Sequence, residues 1–521
     1  MKSLEAICFI LILGLSFFIA HNFIQQRDFP GGDEGTWMAP AARVLAGEGF
    51  TTHWLVKQDL LPYTLPRPDD LRFPGLVYSL ALAFKIFGTS YATALGLILA
   101  IHLGFLTMIY LACRRYFDVP TALLTLLLTG ISPLQLSWNT HIYSEGLFGL
   151  VLAGILLWST CFSPSRLAWW LGMGIGVGLL GLVKLHALLF VPGFFVMYWM
   201  SRESGPQPFK WSDSHKLWFG LAGLFLVLSP WLIRNAMLFG SPVHSAQNAW
   251  IFRYTLQDPN DLGLKEFVAR HGPLVFFKKL GLGMKILMEN WDEYDHGLER
   301  IPLFLALIGV ARRSPFFNPL IVIGFFLIFL GSAYTSYPFW IGIRFWSPLV
   351  PFVVAYGLFQ IRPLLGRLGL RAWLGSPREA VIWALLAVVT AYPAFHPLKF
   401  YLRQPKAPAD HNGRAMADYV AGLERMVQPD EVYLAASLGQ LSFLTNRKCA
   451  TIDDEYHMET WVPRMMATFR PSILALRPGE DTAANIRTVL GLVRAEGYTL
   501  DTLSADSMAV IRRINPVRAG H

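Results

Sequence analysis

Long apolar runs alternate with short polar segments over residues 1–397. The first run, 6–20, carries no charge, and the later ones are 91–113, 119–137, 143–162, 168–183, 185–200, 217–234, 301–312, 316–334, 339–361 and 379–396. Runs of about 20 apolar residues are long enough to cross a bilayer as helices. The shorter run 73–87 predicts a juxtamembrane or half-spanning helix. The pattern therefore predicts a polytopic α-helical membrane protein with about 11–13 transmembrane helices.

The pattern changes after residue 397, where Asp, Glu, Arg and Gly become frequent. The segments 431–435, 472–476 and 508–511 read as strands, and 411–427 and 482–496 have helical periodicity. We therefore expect a transmembrane domain over 1–397, with outer loops at 25–72 and 235–300, and a small soluble α/β domain over 398–521 on the outer face. Within the second loop, a helix at 273–290 with Lys278, Lys279 and Lys285 suits a membrane interface.

Composition and charge agree with this picture. The 521 residues are 54% hydrophobic and 15% charged, outside the usual range for a soluble protein. A net charge of +9 could suggest a nucleic-acid partner, but the basic residues cluster between apolar runs, as the positive-inside rule describes for cytoplasmic loops. We expect no nucleic-acid partner and an N-terminus inside the cell. A signal peptide is the alternative for the first run, although 21–26 lacks a small-residue cleavage site.

Three carboxylates stand out beside the apolar runs. Asp33 and Glu34 are adjacent in a loop rich in Gly, Pro and Trp, just outside the first run. They could simply cap the following helix, because an Asp at a helix start accepts hydrogen bonds from free backbone N–H groups. Glu145 lies at the outer mouth of an apolar helix, where an ionisable group is costly enough to indicate a function. A helix N-terminal carboxylate is the alternative explanation for Glu145.

Four cations are expected on the same side of the membrane. Arg72, Lys184, Arg234 and Arg344 each lie at the end of an apolar run, where each could merely extend to the interface. Together with the carboxylates they would line an outer cleft. Such a cleft suits a lipid-borne phosphate, because Arg and Lys hold phosphate oxygens with charge-assisted hydrogen bonds.

A glycine-rich run at 172–178 resembles a nucleotide-binding loop. It lies inside an apolar run, however, and no strand precedes it, so the expected context is missing. Close packing of membrane helices through small residues is the better interpretation.

The order of several short motifs resembles the GT-C glycosyltransferases, most of all the branch that holds protein O-mannosyltransferases and aminoarabinose transferases. The likeness spans roughly residues 1–360. It rests on Asp33-Glu34-Gly35, Arg72-Phe73-Pro74-Gly75, Gly181-Leu182-Val183-Lys184, Pro230-Trp231-Leu232-Ile233-Arg234-Asn235, and Arg344 with Pro348 and Pro351. Two positions differ from the usual pattern, since relatives often have Lys-Pro-Pro at 72–74 and Asp at 145.

This resemblance implies a polyprenyl-phosphate-linked sugar donor and an active site on the periplasmic or lumenal side of the membrane, with the bacterial inner membrane as the expected location. Asp33 would be the general base, with Glu34 beside it. The acceptor hydroxyl could belong to a glycan, a lipid or a protein. A carboxylate can deprotonate such a hydroxyl, and cations can stabilise the departing phosphate, so we expect an inverting single displacement. Arg72, Lys184, Arg234 and Arg344 are the candidate phosphate-binding residues.

Alternatives stay open on two questions, the use of a metal and the class of protein. The carboxylates could bind Mg²⁺ or Mn²⁺ through their oxygens, but the thirteen His residues show no close ligand pairing, so we expect a reaction without metal or other cofactor. A lipid or solute transporter or flippase would also have many helices and charges within the membrane. Transporters commonly contain paired halves, which are not evident in this sequence. A structural assembly subunit is a third possibility.

Overall fold

A computed structural model of the chain describes residues 2–25, 27, 30, 33–55, 65–162, 165–193, 195, 214–245, 251–255, 258, 263–295, 319–339, 342–367, 377–403, 412–428, 430–435, 440–445, 447–451, 458–476, 483–505 and 510–516. These residues are mostly helical, as predicted. The predicted apolar run at 301–312 lies outside the described residues.

Most of the described helices before residue 397 follow the apolar runs of the sequence, and short 3₁₀ helices lie at Leu185–Phe190 and Ser347–Leu349. The α-helices are named in chain order. Their bounds are α1 (Lys2–Ile24), α2 (Glu34–Leu45), α3 (Pro74–Phe87), α4 (Tyr91–Tyr116), α5 (Val119–Ile131), α6 (Pro133–Asn139), α7 (Glu145–Cys161), α8 (Leu167–Val183), α9 (His215–Phe239), α10 (Leu264–His271), α11 (Val275–Asp295), α12 (Pro319–Phe339), α13 (Gly342–Trp346), α14 (Val350–Phe359), α15 (Ile361–Arg367), α16 (Pro377–Arg403), α17 (Asn412–Met426), α18 (Gln440–Thr445), α19 (Met458–Phe469) and α20 (Ala483–Ala495).

Several of these helices can cross a membrane. Among the described residues, four helical stretches are long and apolar enough: Ser3–Ile24, Tyr91–Tyr116, His215–Phe239 and Arg344–Gly366. A fifth is formed if α5 and α6 count as one bent span, and α3, α7 and α8 are shorter apolar helices. The 14 residues of α3 agree with the predicted short helix at 73–87. The total of 11–13 stays a prediction, because parts of the predicted runs are not described.

The predicted run 119–137 is broken in the structure. Helix α5 ends at Ile131, and α6 leaves at an angle of 64°. Ser132 is extended (φ −63°, ψ 122°), and its hydroxyl accepts a hydrogen bond from the Gln135 backbone N–H at 3.3 Å. Pro133 disfavours a helical conformation at the residue before it, which explains the break. This bend carries α6 to the segment that holds Glu145.

The glycine-rich run lies in α8 and packs directly against α9. A Cβ added at Gly174 would lie 1.9 Å from the Gly220 carbonyl oxygen, and one added at Gly223 would lie 2.5 Å from the Leu171 carbonyl oxygen. The two backbones thus approach more closely than any side chain would allow. The interpretation as a helix-packing surface is confirmed.

The strands form two sheets within the described residues. Their bounds are β1 (Thr51–Thr52), β2 (Trp54–Leu55), β3 (Arg67–Pro68), β4 (Val432–Ala435), β5 (Lys448–Thr451), β6 (Ile473–Leu476), β7 (Tyr498–Ala505) and β8 (Val510–Pro516). Strands β1 and β3 form an antiparallel pair, and the larger sheet has the order β2-β5-β4-β6-β8-β7. In the larger sheet β2, β5, β4 and β6 are parallel, whereas β8 pairs antiparallel with β6 and β7.

The larger sheet contains the three strands predicted after residue 397, and the two predicted helices correspond to α17 and α20. Strands β5 and β7 were not predicted, and neither was β2, which lies between α2 and α3. A strand of two residues is too short to show an alternating hydrophobic pattern, so only its pairing with β5 identifies it as a strand. The division of the chain at 397/398 stays a prediction, and the sheet draws one strand from across it.

The predicted helix at 273–290 corresponds to α11, but the expectation that Lys279 faces a membrane interface is wrong. Lys278 is exposed and the Lys285 side chain is 71% exposed, whereas Lys279 is buried. Its ammonium group donates a hydrogen bond to the Ile251 carbonyl oxygen at 3.1 Å and lies 4.4 Å from the centre of the Tyr334 ring. Helix α11 packs against α12, and Lys279 is on the packed face.

Candidate active site

Asp33 stands at the start of α2, yet its side chain makes no capping hydrogen bond. Instead its carboxylate lies between two guanidinium groups. Oδ1 is 3.1 Å from Nη2 of Arg72, and Oδ2 accepts a hydrogen bond from Nη1 of Arg344 at 3.1 Å. The Asp33 side chain is 30% exposed. A role confined to helix capping therefore does not describe Asp33.

The two arginines determine the protonation state of Asp33. Burial raises the pKa of its carboxyl, but the charges of Arg72 and Arg344 and their hydrogen bonds lower it by more. The pKa consequently lies below the ordinary value of 3.8, and Asp33 is ionised at neutral pH.

Glu145, the first residue of α7, forms the second carboxylate of the same group. Its Oε1 accepts a hydrogen bond from the Lys184 ammonium at 2.6 Å and another from Nε of Arg344. Arg344 thus uses different nitrogens to bridge Asp33 and Glu145. We call Asp33, Arg72, Glu145, Lys184 and Arg344 the site cluster. The Glu145 side chain is fully buried, and its Oε2 has no hydrogen-bond partner among the described residues.

Local structure places each member of the cluster. Glu145 begins a helix, where a negative charge is favoured by the helix dipole, so the alternative explanation for this residue also holds. Lys184 follows the last residue of α8 in an extended conformation (φ −155°), which turns its side chain out of the helix. Arg344 lies on the short helix α13, between the apolar helices α12 and α14.

Aromatic rings surround the cations. The Arg344 guanidinium lies 4.1 Å from the centre of the Tyr143 ring, and the Lys184 ammonium lies 4.5 Å from that of Phe345. Arg72 lies 4.8 Å from the Trp37 ring. Such rings attract cations through their quadrupoles and exclude water. These three rings were not predicted as part of the site, although Tyr143 and Phe345 lie within two residues of a cluster member and Trp37 lies in α2.

Glu34 has a different environment from Asp33, although the two are adjacent. Its buried carboxylate accepts hydrogen bonds from Nη1 of Arg27 at 2.9 Å, the Tyr91 hydroxyl at 2.8 Å and the Ile142 backbone N–H at 3.0 Å. These contacts join the start of α2 to α4 and to the segment before Glu145. The structure therefore places Glu34 in a connection between elements and Asp33 in the site cluster.

We expect Glu34→Gln to lower the free energy of unfolding by about 1–3 kcal/mol, because it removes the charge that Arg27 faces and disturbs three hydrogen bonds. Arg27 is 17% exposed, which keeps the loss below that of a fully buried pair. The measurement is the midpoint of thermal unfolding in detergent, with the exposed Glu48→Gln as control. An unchanged midpoint combined with a lost kcat would contradict this prediction and place Glu34 in the chemistry.

Arg234 is the predicted cation that the structure does not bring to the site cluster. Its Nη2 donates to the carbonyl oxygens of Phe50 at 3.1 Å and Asp69 at 2.9 Å, and its Nη1 donates to Oδ1 of Asn235 at 2.9 Å. The guanidinium also lies 4.5 Å from the Trp231 ring. Arg234 thus holds Phe50 and Asp69, which precede α3, against α9. No described contact joins it to Asp33 or Glu145.

Asp69 is a further residue of this region that sequence reasoning missed. Its Oδ1 accepts hydrogen bonds from the backbone N–H groups of Leu71 at 2.8 Å and Arg72 at 2.9 Å. Because its carbonyl oxygen binds Arg234, Asp69 connects Arg234 with Arg72. The sequence contained a signal for this role. Asp69 lies three residues before Arg72, and Asp side chains commonly accept hydrogen bonds from backbone N–H groups a few residues later in the chain.

The carboxylates of the site cluster face cations. In the part of the chain that the structure describes, no group of three or more His, Cys, Asp or Glu side chains could hold a metal ion. Asp33 and Glu145 are joined by Arg344 instead of lying side by side as oxygen ligands. This arrangement does not fit a divalent cation, which takes several oxygen ligands.

Comparisons with known proteins identify the architecture. Residues 68–233 match a family model described as dolichyl-phosphate-mannose-protein mannosyltransferase. No curated protein gives a significant match. Among solved structures, ArnT from Cupriavidus metallidurans bound to undecaprenyl phosphate is 15% identical, with a TM-score of 0.58 over 97% of each chain.

Two further structures are similar. The oligosaccharyltransferase AglB from Archaeoglobus fulgidus, in complex with an inhibitory peptide and a dolichol-phosphate, is 14% identical with a TM-score of 0.59 over 95% of this chain and 72% of its own. The arabinofuranosyltransferase AftD from Mycobacteria is 13% identical with a TM-score of 0.51 over 97% of this chain and 41% of its own. The predicted resemblance and fold class are confirmed: the chain has the fold of the GT-C membrane glycosyltransferases, with a small sheet at its C-terminal end.

Proposed function

We propose that this membrane protein transfers a sugar from a polyprenyl-phosphate donor to an acceptor hydroxyl, by inverting displacement on the periplasmic or lumenal side. The family match and the fold support a polyprenyl-phosphate-dependent glycosyltransferase. The observation that carries the proposal is the partly exposed Asp33 carboxylate between two guanidinium groups. In the similar structures, ArnT is bound to undecaprenyl phosphate and AglB to a dolichol-phosphate.

In this mechanism Asp33 accepts the proton of the acceptor hydroxyl. The hydroxyl oxygen attacks the anomeric carbon, and the bond between that carbon and the phosphate oxygen breaks, so that the phosphate leaves with the electron pair. Phosphate is a good leaving group, and no acid is needed to protonate it. Because the Asp33 side chain is 30% exposed, its proton can then pass to solvent.

The cations of the site cluster would bind the donor phosphate. Three cations face two carboxylates, which leaves one unit of positive charge to attract an anionic donor. Arg72 and Arg344 can hold phosphate oxygens through their planar guanidinium groups. Lys184 adds a third positive charge near the leaving phosphate, where stabilisation accelerates the reaction.

Glu145 holds Arg344 and Lys184 in place in this proposal. Both cations donate to the same oxygen, Oε1, which fixes the spacing between their charges. Arg234 contributes less directly, by fixing the loop that leads through Asp69 to Arg72. The bacterial inner membrane remains the proposed location, with the N-terminus inside.

The deciding experiment is transfer by the purified protein in vesicles that contain one polyprenyl-phosphate sugar and a set of acceptors. We expect loss of the lipid-linked sugar and appearance of one glycosylated product. Mass spectrometry of envelope glycans from cells with and without the protein then identifies the sugar and the acceptor. Movement of the lipid across the vesicle membrane without sugar transfer would overturn the proposal in favour of a flippase.

The pH dependence of kcat/KM tests the role of Asp33. Because Arg72 and Arg344 lower its pKa below the ordinary value of 3.8, we expect kcat/KM to stay near its neutral-pH value until the pH approaches that lowered pKa. The same depression means that ionised Asp33 stabilises the fold above pH 3.8, and this contribution is lost as the pH falls through its folded-state pKa.

Replacing Arg72 by Gln provides the internal control. It removes one of the charges that lower the Asp33 pKa, so the acidic limb of the profile should move to higher pH. A limb that stays in place in this variant would show that another group controls it.

A further inference from the structure

The residue directly before Arg72 lies in the hydrophobic core of the C-terminal sheet. We call α17–α20 with β4–β8 the C-terminal unit. Leu71 is 7% exposed and packs in one cluster with Tyr419, Leu423 and Tyr433 of that unit. A connection therefore runs from the core of the C-terminal unit to a guanidinium group that contacts Asp33.

A second contact of the same loop fixes its position along the sheet. Strand β2 pairs in parallel with β5, with Trp54 opposite Cys449, and the Cys449 backbone N–H donates to the His53 carbonyl oxygen at 2.9 Å. Trp54 is 3% exposed and lies in the same cluster as Leu71. The C-terminal unit thus holds the loop between α2 and α3 at two separate places, at Trp54 and at Leu71.

The link between Leu71 and Arg72 is stiff. A single oxygen, Oδ1 of Asp69, accepts from both backbone N–H groups. The next two residues, Phe73 and Pro74, lead directly into α3, whose first position is the proline. A displacement of Leu71 would therefore be passed on to the backbone of Arg72.

The C-terminal unit also contacts the helix that carries Asp33. Helix α18 packs against α2, and its Phe443 contacts the cluster that contains Trp37 and Met38. Trp37 is the ring beside the Arg72 guanidinium, at 4.8 Å. The C-terminal unit therefore packs against the residue before Arg72 and against the helix that follows Asp33.

We propose that the C-terminal unit is a positioning element of the active site, which sets the geometry of the Asp33–Arg72 pair through Leu71 on one side and Phe443 on the other. This rests on the proposed glycosyl transfer. The described residues of the unit act through Arg72 and α2 and are not themselves placed at the reacting atoms. A misplacement of reacting groups by about 1 Å can lower a rate about 100-fold. Apolar contacts that shift Arg72 or α2 by this amount would therefore change turnover.

The test compares three leucine variants of the full-length protein in the vesicle assay. We expect Leu71→Ala to lower kcat by about 10–100-fold, because the truncated side chain no longer holds Arg72 in register. Leu71→Met, which keeps the volume, should restore kcat to within about threefold of the original value. Leu474→Ala is the matched control, because Leu474 is also a buried leucine but lies in the cluster on the opposite face of the sheet.

Leu474→Ala should lower the thermal midpoint by at least as much as Leu71→Ala and leave kcat unchanged below that midpoint. Equal kcat in the Leu71→Ala and Leu474→Ala proteins would overturn the proposal. If Leu71→Ala does not fold, Phe443→Ala replaces it, because Phe443 is only partly buried and packs against the cluster that contains Trp37 and Met38. A kcat that is unchanged in Phe443→Ala would then overturn the proposal.

Two outcomes separate this inference from the proposed function. If Asp33→Asn retains full transfer, the assignment of Asp33 as the base fails, and the inference that the C-terminal unit positions a catalytic Asp33 fails with it. If Asp33→Asn is inactive while Leu71→Ala and Phe443→Ala turn over normally, the proposed function stands and only the role of the C-terminal unit is refuted.

Discussion

Asp33→Asn should lower kcat for sugar transfer by at least about 100-fold, and up to about 10,000-fold, because the amide cannot accept the proton of the acceptor hydroxyl. The protein should remain folded, since the substitution conserves shape and the side chain is 30% exposed. The KM for the lipid donor should stay the same or fall, because Arg72 and Arg344 lose a competing anion and become available to the donor phosphate.

The matched control for Asp33→Asn is Glu48→Gln, which removes a carboxylate just beyond the other end of α2. Glu48 also faces an arginine, Arg43 at 3.1 Å, but its side chain is 41% exposed and lies outside the site cluster. Its loss should leave kcat unchanged. A kcat of Asp33→Asn within about threefold of the Glu48→Gln value would refute Asp33 as the base, since general bases contribute far more.

Arg344→Lys should lower kcat/KM by about 100–1,000-fold, the effect typical of removing one preorganised group that stabilises transition-state charge. Lysine keeps the positive charge but lacks the planar guanidinium group with its several nitrogens, so it cannot contact Asp33 and Glu145 with separate nitrogens. Steady-state kinetics with varied donor would show the loss. Glu145 keeps its contact with Lys184, so the buried carboxylate retains a counterion and the protein should still fold.

Arg362→Lys is the corresponding control. Arg362 also bridges two carboxylates, Asp118 at 2.8 Å and Glu379 at 2.6 Å. It lies near the other end of the apolar stretch Arg344–Gly366, which places it about 27 Å from Arg344 along a straight helix. Arg362→Lys should affect stability alone. Equal losses of activity in both variants would mean that the Arg344 effect arises from general damage to the fold.

The structure also gives neighbouring residues separate tasks. Asp33 faces two guanidinium groups and partial solvent, while Glu34 is fully buried among Arg27, Tyr91 and a backbone N–H group. The first arrangement suits proton transfer, and the second suits a permanent connection. The two expected phenotypes are therefore loss of turnover for one carboxylate and loss of stability for the other.

The sequence determined the class of the protein and the types of residue at its site. A bilayer accepts only backbone whose polar groups are paired internally, so long apolar runs already predict membrane helices. Charges at the ends of such runs are costly, and for this reason Glu145, Lys184 and Arg344 could be singled out without a structure. The close packing of α8 on another helix was also predictable, because small residues in an apolar helix allow backbones to approach closely.

Only the tertiary structure decided which of these residues meet. Asp33 and Arg344 are 311 positions apart, and no local pattern specifies a contact over that distance. The same holds for Arg234, which binds backbone carbonyls and not the site cluster, and for Lys279, which is buried by the packing of α11 on α12. Strand β2 joins the C-terminal sheet because β5 offers it a free edge, and the same sheet contributes Tyr433 to the cluster that buries Leu71, the residue before Arg72. Local sequence fixes helices and costly charges, whereas the packing of distant segments fixes the geometry on which the proposed chemistry depends.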